Sequence, residues 1–434
     1  MKRRDFLKLA GIGVILSGCG IMFIPQAKQI AQQMLRKTKA IASRYQITNS
    51  ADVFNLHQVI TSDITKSRII MWQSELDEQD AVVEYRIKDT ADAYAAKATD
   101  EKFSDDNTTS YIHTAAITDL HPLTAYEYRV GCGNKRSDWH DLSTNNNSNF
   151  KVIIFPDSQS NDYNVWRDTA QAAWNSNPDA QFFINIGDLV DNGEDHNQWN
   201  AWFDAIENMI QAIPVAPLLG NHETYTKNWK VRMPEAYLHL FALPEIMPKK
   251  YQNQYYSFDY GAVHFTVINT QIGEMEQFQP DMLADELVWL EDDIAKTKQK
   301  WKIVLMHKDV LQYGFQSRPE PREEGFTDEG REFMPLFDKY NVDVVLTGHL
   351  HTYRNRGHIR NFVRDESGPL YIITGVAGDV RYPGLWKQHS LDEVVAPQPE
   401  TDNYMTMAAS DNVLTFSSFL PNGELIDKVS VNKS

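Results

Sequence analysis

The sequence predicts an α/β main body preceded by a small all-β domain. Short alternating runs fill residues 56–148, continuous apolar runs of strand length recur from about Lys151, and 3-4-3-4 apolar spacing falls between some of them. Alternation suits strands with one solvated face, continuous apolarity suits strands buried on both faces, and the 3.6-residue period suits amphipathic helices. Strand–helix alternation then builds an α/β sheet. At 434 residues the chain has room for two or three domains.

Residues 1–25 read as an export signal or membrane anchor. Met1-Lys2-Arg3-Arg4-Asp5-Phe6-Leu7-Lys8 precedes an apolar run from Leu9 to about Ile24, and a basic start before an apolar stretch marks export. Arg3-Arg4-x-Phe6-Leu7-Lys8 resembles a twin-arginine signal. Leu16-Ser17-Gly18-Cys19 resembles a lipobox, in which Cys19 would carry the lipid. The apolar run continues through Ile21-Met22-Phe23-Ile24, so an uncleaved anchor is the other reading. Both put the body outside the cytoplasm, tethered to the membrane of the cell envelope. Residues 26–52 are a linker, basic and Gln/Ala-rich as far as Tyr45.

The formal charge is −17, from 42 basic and 59 acidic residues. Residues 1–45 hold nine Lys/Arg against Asp5 alone, which leaves −25 on the remainder. So acidic a body excludes sequence-independent nucleic-acid binding. Cys19 and Cys132 make neither a disulfide framework nor a Cys-rich zinc site. Cys132, on a Gly131-Cys132-Gly133 turn, is expected to be a thiol without a chemical role. A metal here must use His, Asp and amide oxygens.

The all-β domain spans 53–148. Ser67–Trp72, Ala81–Ile87 and Tyr126–Val130 read as strands, separated by polar stretches such as Lys102–Thr109. Short strands at regular spacing predict a β-sandwich. Leu120-His121-Pro122-Leu123-Thr124-Ala125-Tyr126-Glu127-Tyr128 resembles the tyrosine corner of fibronectin type III domains. Nothing in this stretch gathers His and carboxylates at ligand spacing, so it is expected to frame the next domain.

In the body, 149–434, the strand-length runs are Val152–Phe155, Phe182–Ile186, Val215–Leu219, Val263–Ile268, Ile303–Met306 and Val342–Leu346. Trp199, Trp202, Phe203, Ile206, Ile210 and Ile213 form one helical stripe; Leu283, Leu287, Leu290 and Ile294 form another. Both are expected to be core faces. Polar clusters follow five of the strands: Asp157-Ser158-Gln159, Gly187-Asp188-Leu189-Val190-Asp191, Gly220-Asn221-His222-Glu223, His307, and Gly348-His349-Leu350-His351. A lone Gly-Asp is usually a turn, and a lone histidine usually structural. Five such clusters in order, each at a strand's carboxyl end, converge on the rim where open α/β sheets bind ligands. Carboxylate, amide and imidazole donors suit Mn, Fe or Zn.

These five motifs resemble those of the calcineurin-like metallophosphoesterases. The likeness covers about 150–434, and the β domain is similar to the one that purple acid phosphatases carry. Tyr255-Tyr256-Ser257-Phe258-Asp259-Tyr260 to Val263-His264-Phe265 is similar to a hairpin of that branch. The resemblance implies a four-layer α-β-β-α sandwich behind a fibronectin III-like sandwich. It also implies a dinuclear site, with Asp157, Asp188 and His351 on one metal and Gln159 adding an amide oxygen. Asp188 would bridge to a second metal held by Asn221, His307 and His349. His222 would protonate the leaving alkoxide, and Asp191 would orient His222. The implied activity is hydrolysis of phosphate esters, monoesters favoured, by attack of a metal-bound hydroxide. Alternatives are a phosphodiesterase or nucleotidase of the same fold, or a catalytically silent cell-surface binding protein.

The sequence departs from the purple branch in three places. Asp191 stands where those enzymes have an iron-ligating tyrosine, and Gln159 stands where many relatives have histidine. Residues 308–331 contain no histidine; Arg318, Arg322 and Arg331 are the phosphate-facing candidates there. The loops 313–331 and 377–404 are long enough to be lids or insertions.

Overall fold

The computed structural model describes residues 52–77, 80–145, 149–246, 248–314, 321–382, 389–397 and 400–433. The export, lipobox and anchor motifs, the linker up to residue 51 and Arg318 lie outside the described residues. Among the described residues no helix is long and apolar enough to cross a membrane.

Two β-sheets carry the body. In the first, Phe150–Phe155, Phe182–Asn185 and Val215–Pro217 pair in parallel. In the second, Val263–Val267, Trp301–Leu305, Val344–Thr347 and Leu370–Gly375 do the same. Because side chains alternate along a strand, Ile303 and Leu305 join one buried cluster while Val304 and Met306 join another. The first cluster fills the space between the sheets, where Phe182 meets Phe258, Tyr260 and Phe265 edge-on, and continues onto the outer face of the first sheet. The second lies beneath the helices Met282–Lys296 and Asp328–Lys339. Outside the first sheet, Trp166 of helix Tyr163–Ser176 sits edge-on to Phe155 and stacks on Trp202 of helix His196–Ala205. The layers therefore run α-β-β-α, as expected.

The all-β segment does not stand apart from this sheet. Phe54–Val59 pairs in parallel with Val215–Pro217 at Val59–Val215, which extends the first sheet to ten strands among the described residues. Tyr126 accepts a hydrogen bond from the His121 amide at 3.0 Å, the contact that defines a tyrosine corner.

Several local expectations are corrected. Lys102–Thr109 is not a separator: Thr99–Asp105 and Thr108–Ile117 pair as a hairpin. Its two-residue turn is Asp106-Asn107, at φ 46° and 55°, the left-handed pair that matches strand twist. The strand hides from the apolar pattern because it lies at the sheet edge and is mostly exposed. The stripe from Trp199 to Ile213 is buried but crosses a helix break at Ile206. On the other stripe the deepest line is Met282, Glu286, Leu290 and Ile294, while Leu283 and Leu287 are half-buried. Glu286 is drawn inside because it accepts the Asn269 amide. Further strands, among them Phe54–Val59, Thr352–Arg360, Leu370–Gly375, Tyr404–Ala409, Val413–Phe419 and Leu425–Asn432, add to those read from the sequence.

Candidate metal centre

All five polar clusters lie at carboxyl ends of parallel strands, and their side chains meet. Asp188 Oδ2 lies 3.0 Å from His307 Nε2, and Asp157 Oδ2 lies 3.1 Å from His351 Nε2. Candidate ligand atoms of Asp188, His307 and His349 fall within 4.8 Å of one another, as do those of Asp157, Asp188 and His351. The two groups share Asp188, so together they make the donor set of a dinuclear centre. Asn221 Oδ1 adds an oxygen 3.3 Å from His307 Nε2.

The backbone is bent to achieve this. Asp188, His349 and His351 hold φ of 47°, 70° and 50°, left-handed values uncommon away from glycine. Gly187, at φ 84°, lies so close to His307 that a Cβ would fall 2.5 Å from Nδ1; at Gly220 a Cβ would fall 2.1 Å from Asp188 Oδ1. Glycine is required at both close approaches.

Hydrogen bonds fix which ring nitrogens face inward. His307 Nδ1 donates to the Ile186 carbonyl and His351 Nδ1 to the Val380 carbonyl, each at 2.8 Å. A carbonyl only accepts, so both Nδ1 atoms carry protons and both Nε2 atoms turn toward the carboxylates, the tautomer a metal needs. Asp157 also accepts the His349 amide on both oxygens, at 3.0 and 2.9 Å.

Electrostatics match the crowding. Burial disfavours charge on Asp188, but His307 and His222 outweigh it and hold its carboxyl far below the usual range. Burial likewise opposes charge on His307, yet Asp188 lifts it to about 9. His349 is pushed well down, by burial and then by His307. Protons shared between imidazole and carboxylate stand where cations would bind, since metals take these groups deprotonated. Two features show that protein alone does not satisfy the site. Both amide atoms of Gln159 and Nδ1 of His349 are buried without a hydrogen-bond partner, a condition that calls for explanation in a folded core. Hard oxygens and imidazoles around such orphaned donors fit two divalent cations.

His222 sits beside this pair, with Nε2 4.0 Å from Asp188 Oδ2. Its Nδ1 donates to the Asp191 backbone carbonyl at 2.7 Å, while the Asp191 carboxylate stands 3.5 Å away. The shorter contact thus comes from the main chain rather than from the side chain that the sequence singled out. Burial raises the Asp191 carboxyl above its ordinary value.

The sequence matches the family model described as calcineurin-like phosphoesterase over residues 112–353, and that of the purple acid phosphatase N-terminal domain over 53–144. The chain belongs to the calcineurin-like phosphoesterases. It is 25% identical to purple acid phosphatase 15 of Arabidopsis thaliana, over 68% of this chain and 58% of that protein. It is also 25% identical to the Fe(3+)-Zn(2+) purple acid phosphatase 12 of the same plant, over 76% and 72%. The match to the first of these relatives thus spans little more than half its length. Among solved structures, a purple acid phosphatase from yellow lupin superposes with a TM-score of 0.69 at 18% identity, covering 89% of this chain and 75% of that one. PhoD superposes with 0.60 at 12%, covering 88% and 90%. Both structures share the fold.

Two residues at the site escaped the sequence reading. Glu223, buried inside the Gly220–Glu223 motif, accepts the amides of Asp188, Leu189, Val190 and Gly220 at 2.7–3.3 Å. It ties together the two loops that carry the candidate ligands Asp188 and Asn221; its place in the motif was the available signal. Tyr382 packs on His351 with ring centroids 4.9 Å apart. Burial, then the carboxylates Asp188, Asp157 and Asp191, raise its phenol. No local pattern marks it. Of the other candidates, Arg322 donates to the Tyr313 carbonyl, and Arg331 lies on an exposed turn of helix Asp328–Lys339.

Proposed function

We propose that this protein is an exported, membrane-tethered phosphoesterase that hydrolyses phosphate esters, monoesters ahead of diesters, with two cations drawn from Fe, Mn or Zn. One observation carries the reading: two buried clusters of metal-ligating side chains share Asp188, beside a histidine with one nitrogen anchored. Phosphatase names among the relatives favour the monoester. When bound, the cations would supply Lewis-acid activation of the phosphoryl group and of water.

The chain's residues divide the work. Asp157, His351 and the Gln159 amide oxygen would hold one cation; Asn221, His307 and His349 the other; Asp188 both. His222 keeps its Nδ1 proton on the Asp191 carbonyl, which leaves Nε2 to deliver a proton to the departing oxygen. The Asp191 carboxylate, 3.5 Å from the same Nδ1, helps to orient the ring. Glu223 keeps the Asp188 and Asn221 loops in register.

The test is turnover of nitrophenyl phosphate and bis-nitrophenyl phosphate by purified protein, stripped of metal and then given Mn²⁺. Metal-dependent hydrolysis with the monoester faster is the expected result. Silence on both substrates in a sample shown to hold two metals refutes the enzyme reading, and a faster diester overturns the monoester preference. Export rests on Arg3-Arg4 and Cys19: Arg3→Lys with Arg4→Lys should trap precursor in the cytoplasm. Cys19→Ser should release the protein from membranes, whereas retention of uncleaved protein selects the anchor form.

A further inference from the structure

The rim beside His222 carries an aromatic ledge, whose exposed indole has no part in the metal set or the proton-transfer step assigned above. Trp229 is 57% exposed although it sits at the site, with its ring 5.6 Å from that of His222 and the planes nearly perpendicular. Tyr225 lies 5.5 Å from His222 and 5.9 Å from Trp229. Tyr225 also hydrogen-bonds Asn221, so the pair borders the candidate metal ligands as well as His222.

The loop that presents Trp229 is built, not loose. Tyr225 and Val231 bridge as an antiparallel pair, and the Thr226 amide donates to the Lys230 carbonyl at 2.8 Å. The Trp229 amide closes a turn onto the Thr226 carbonyl at 2.9 Å, with φ at 60°. A bulky residue holds a left-handed conformation only where its surroundings over-determine it, and such strain clusters at functional sites. The surroundings come from the all-β segment. Asp106, at the tip of the Thr99–Ile117 hairpin, pairs with Lys227 at 2.6 Å, and Asp105 pairs with Arg232 at 3.0 Å. Glu194 accepts the Lys227 amide at 2.8 Å. The fold thus spends a hairpin turn and three carboxylates to keep an indole in water at the mouth of the site.

We propose that Trp229, backed by Tyr225, stacks against a flat aromatic group in the leaving portion of the substrate, either a nucleobase or an aryl ring. The inference rests on the phosphoesterase reading and narrows its substrate class. The group that leaves is the one His222 protonates, so whatever lies beyond the departing oxygen on that side passes the indole. Exposed aromatics take planar rings with little regard to their polar edges, whereas an aliphatic alcohol offers no such face.

The test compares kcat/KM for AMP, phenyl phosphate and glycerol 2-phosphate in the full-length, metal-loaded protein and its variants. Trp229→Asn suits the positive φ while removing the ring, and Trp229→Phe keeps a smaller one. The ratio of kcat/KM for an aromatic ester to that for glycerol 2-phosphate should fall about tenfold in Trp229→Asn, mainly through KM, and be largely restored in Trp229→Phe. A fall confined to AMP identifies a nucleobase; one confined to phenyl phosphate identifies an aryl ring. An unchanged ratio overturns the proposal and leaves Trp229 a structural residue. If no ester is hydrolysed, the phosphoesterase reading fails separately, and calorimetry still decides the ledge. AMP should then bind more tightly than ribose 5-phosphate, and Trp229→Asn should erase the difference; equal binding to the unaltered protein overturns it.

Discussion

Two His–carboxylate clusters in this protein look alike on paper and behave oppositely. At the rim, His307 and His351 face Asp188 and Asp157 at 3.0 and 3.1 Å. On the second sheet, His264 lies between Asp259 and Asp293 at 2.6 and 2.9 Å, beside a cavity of about 280 Å³. The cavity would draw the eye to His264. Yet that cluster is closed: Ser257 and Thr266 donate to Asp293, Gln299 donates to Asp259, and both ring nitrogens of His264 are engaged. Its backbone is regular strand and helix. The rim cluster leaves Gln159 and His349 Nδ1 orphaned and bends three residues into left-handed backbone. Volume alone does not distinguish a site from a structural network; here the difference is that orphaned polar atoms and left-handed backbone coincide with converging ligand atoms.

The comparison can be broken or sharpened by substitution. The largest effect is expected from Asp188→Asn, which removes the charge shared by both cations. Turnover should fall beyond about 10⁴-fold, with metal lost, as read by kinetics and elemental analysis. A variant that keeps two metals and full rate would remove Asp188 from its bridging place. His222→Ala should cut kcat by about 10²–10⁴ with metal content intact, the usual range for a general acid. The loss should be smaller for nitrophenyl than for alkyl phosphates, and equal losses would deny His222 the acid role.

His264→Gln should change neither metal content nor rate, but should alter stability. Burial opposes charge on His264, yet the hydrogen bonds its ring donates to Asp259 and Asp293 outweigh it and hold the ring at about 9, above its ordinary 6.5. Because the folded value is raised, this contribution is complete below about pH 6.5 and is lost as pH rises through about 9. Asp259 is half exposed, so the contribution is of the order of 1–3 kcal/mol. Urea unfolding at pH 6 and pH 10 should show the gap between native and variant protein narrowing by that amount. A gap independent of pH would mean that His264 stays neutral.

Smaller effects are expected at the orphaned amide. Gln159→His should tighten the cation beside Asp157 and His351 by about tenfold, since imidazole is a better donor than an amide oxygen and no hydrogen bond is sacrificed. Metal retention on dialysis measures this, and weaker retention would exclude Gln159 from the site. If Asp191 takes the tyrosine's place, as the resemblance implies, iron-loaded protein should show no visible tyrosinate band. Tyr225 packs on His222, and Tyr353 is buried with its hydroxyl on Asp427. A band that vanishes in Tyr382→Phe would therefore assign a ligand to Tyr382, whose ring packs on His351.

The sequence by itself determined the α/β class, the strand ends that carry chemistry, and the identities of the donors gathered there. Those signals are local: a strand buried on both faces must be continuously apolar, and the turn after it must be polar. The edge strands Thr99–Asp105 and Leu425–Asn432 were less legible, because a strand with solvent on one face or at its edge carries a weak pattern. Tertiary structure alone decided the rest. It turned the Asp191 carbonyl toward His222, joined Glu223 to amides some 35 residues away, brought Tyr382 onto His351, and extended the main sheet through Val59 and Val215. It also set Asp105 and Asp106 against Lys227 and Arg232, more than 120 residues along the chain. Each of these pairs elements distant in sequence. Their partners are chosen by which faces the packed sheets leave open, and no periodicity along the chain encodes that choice.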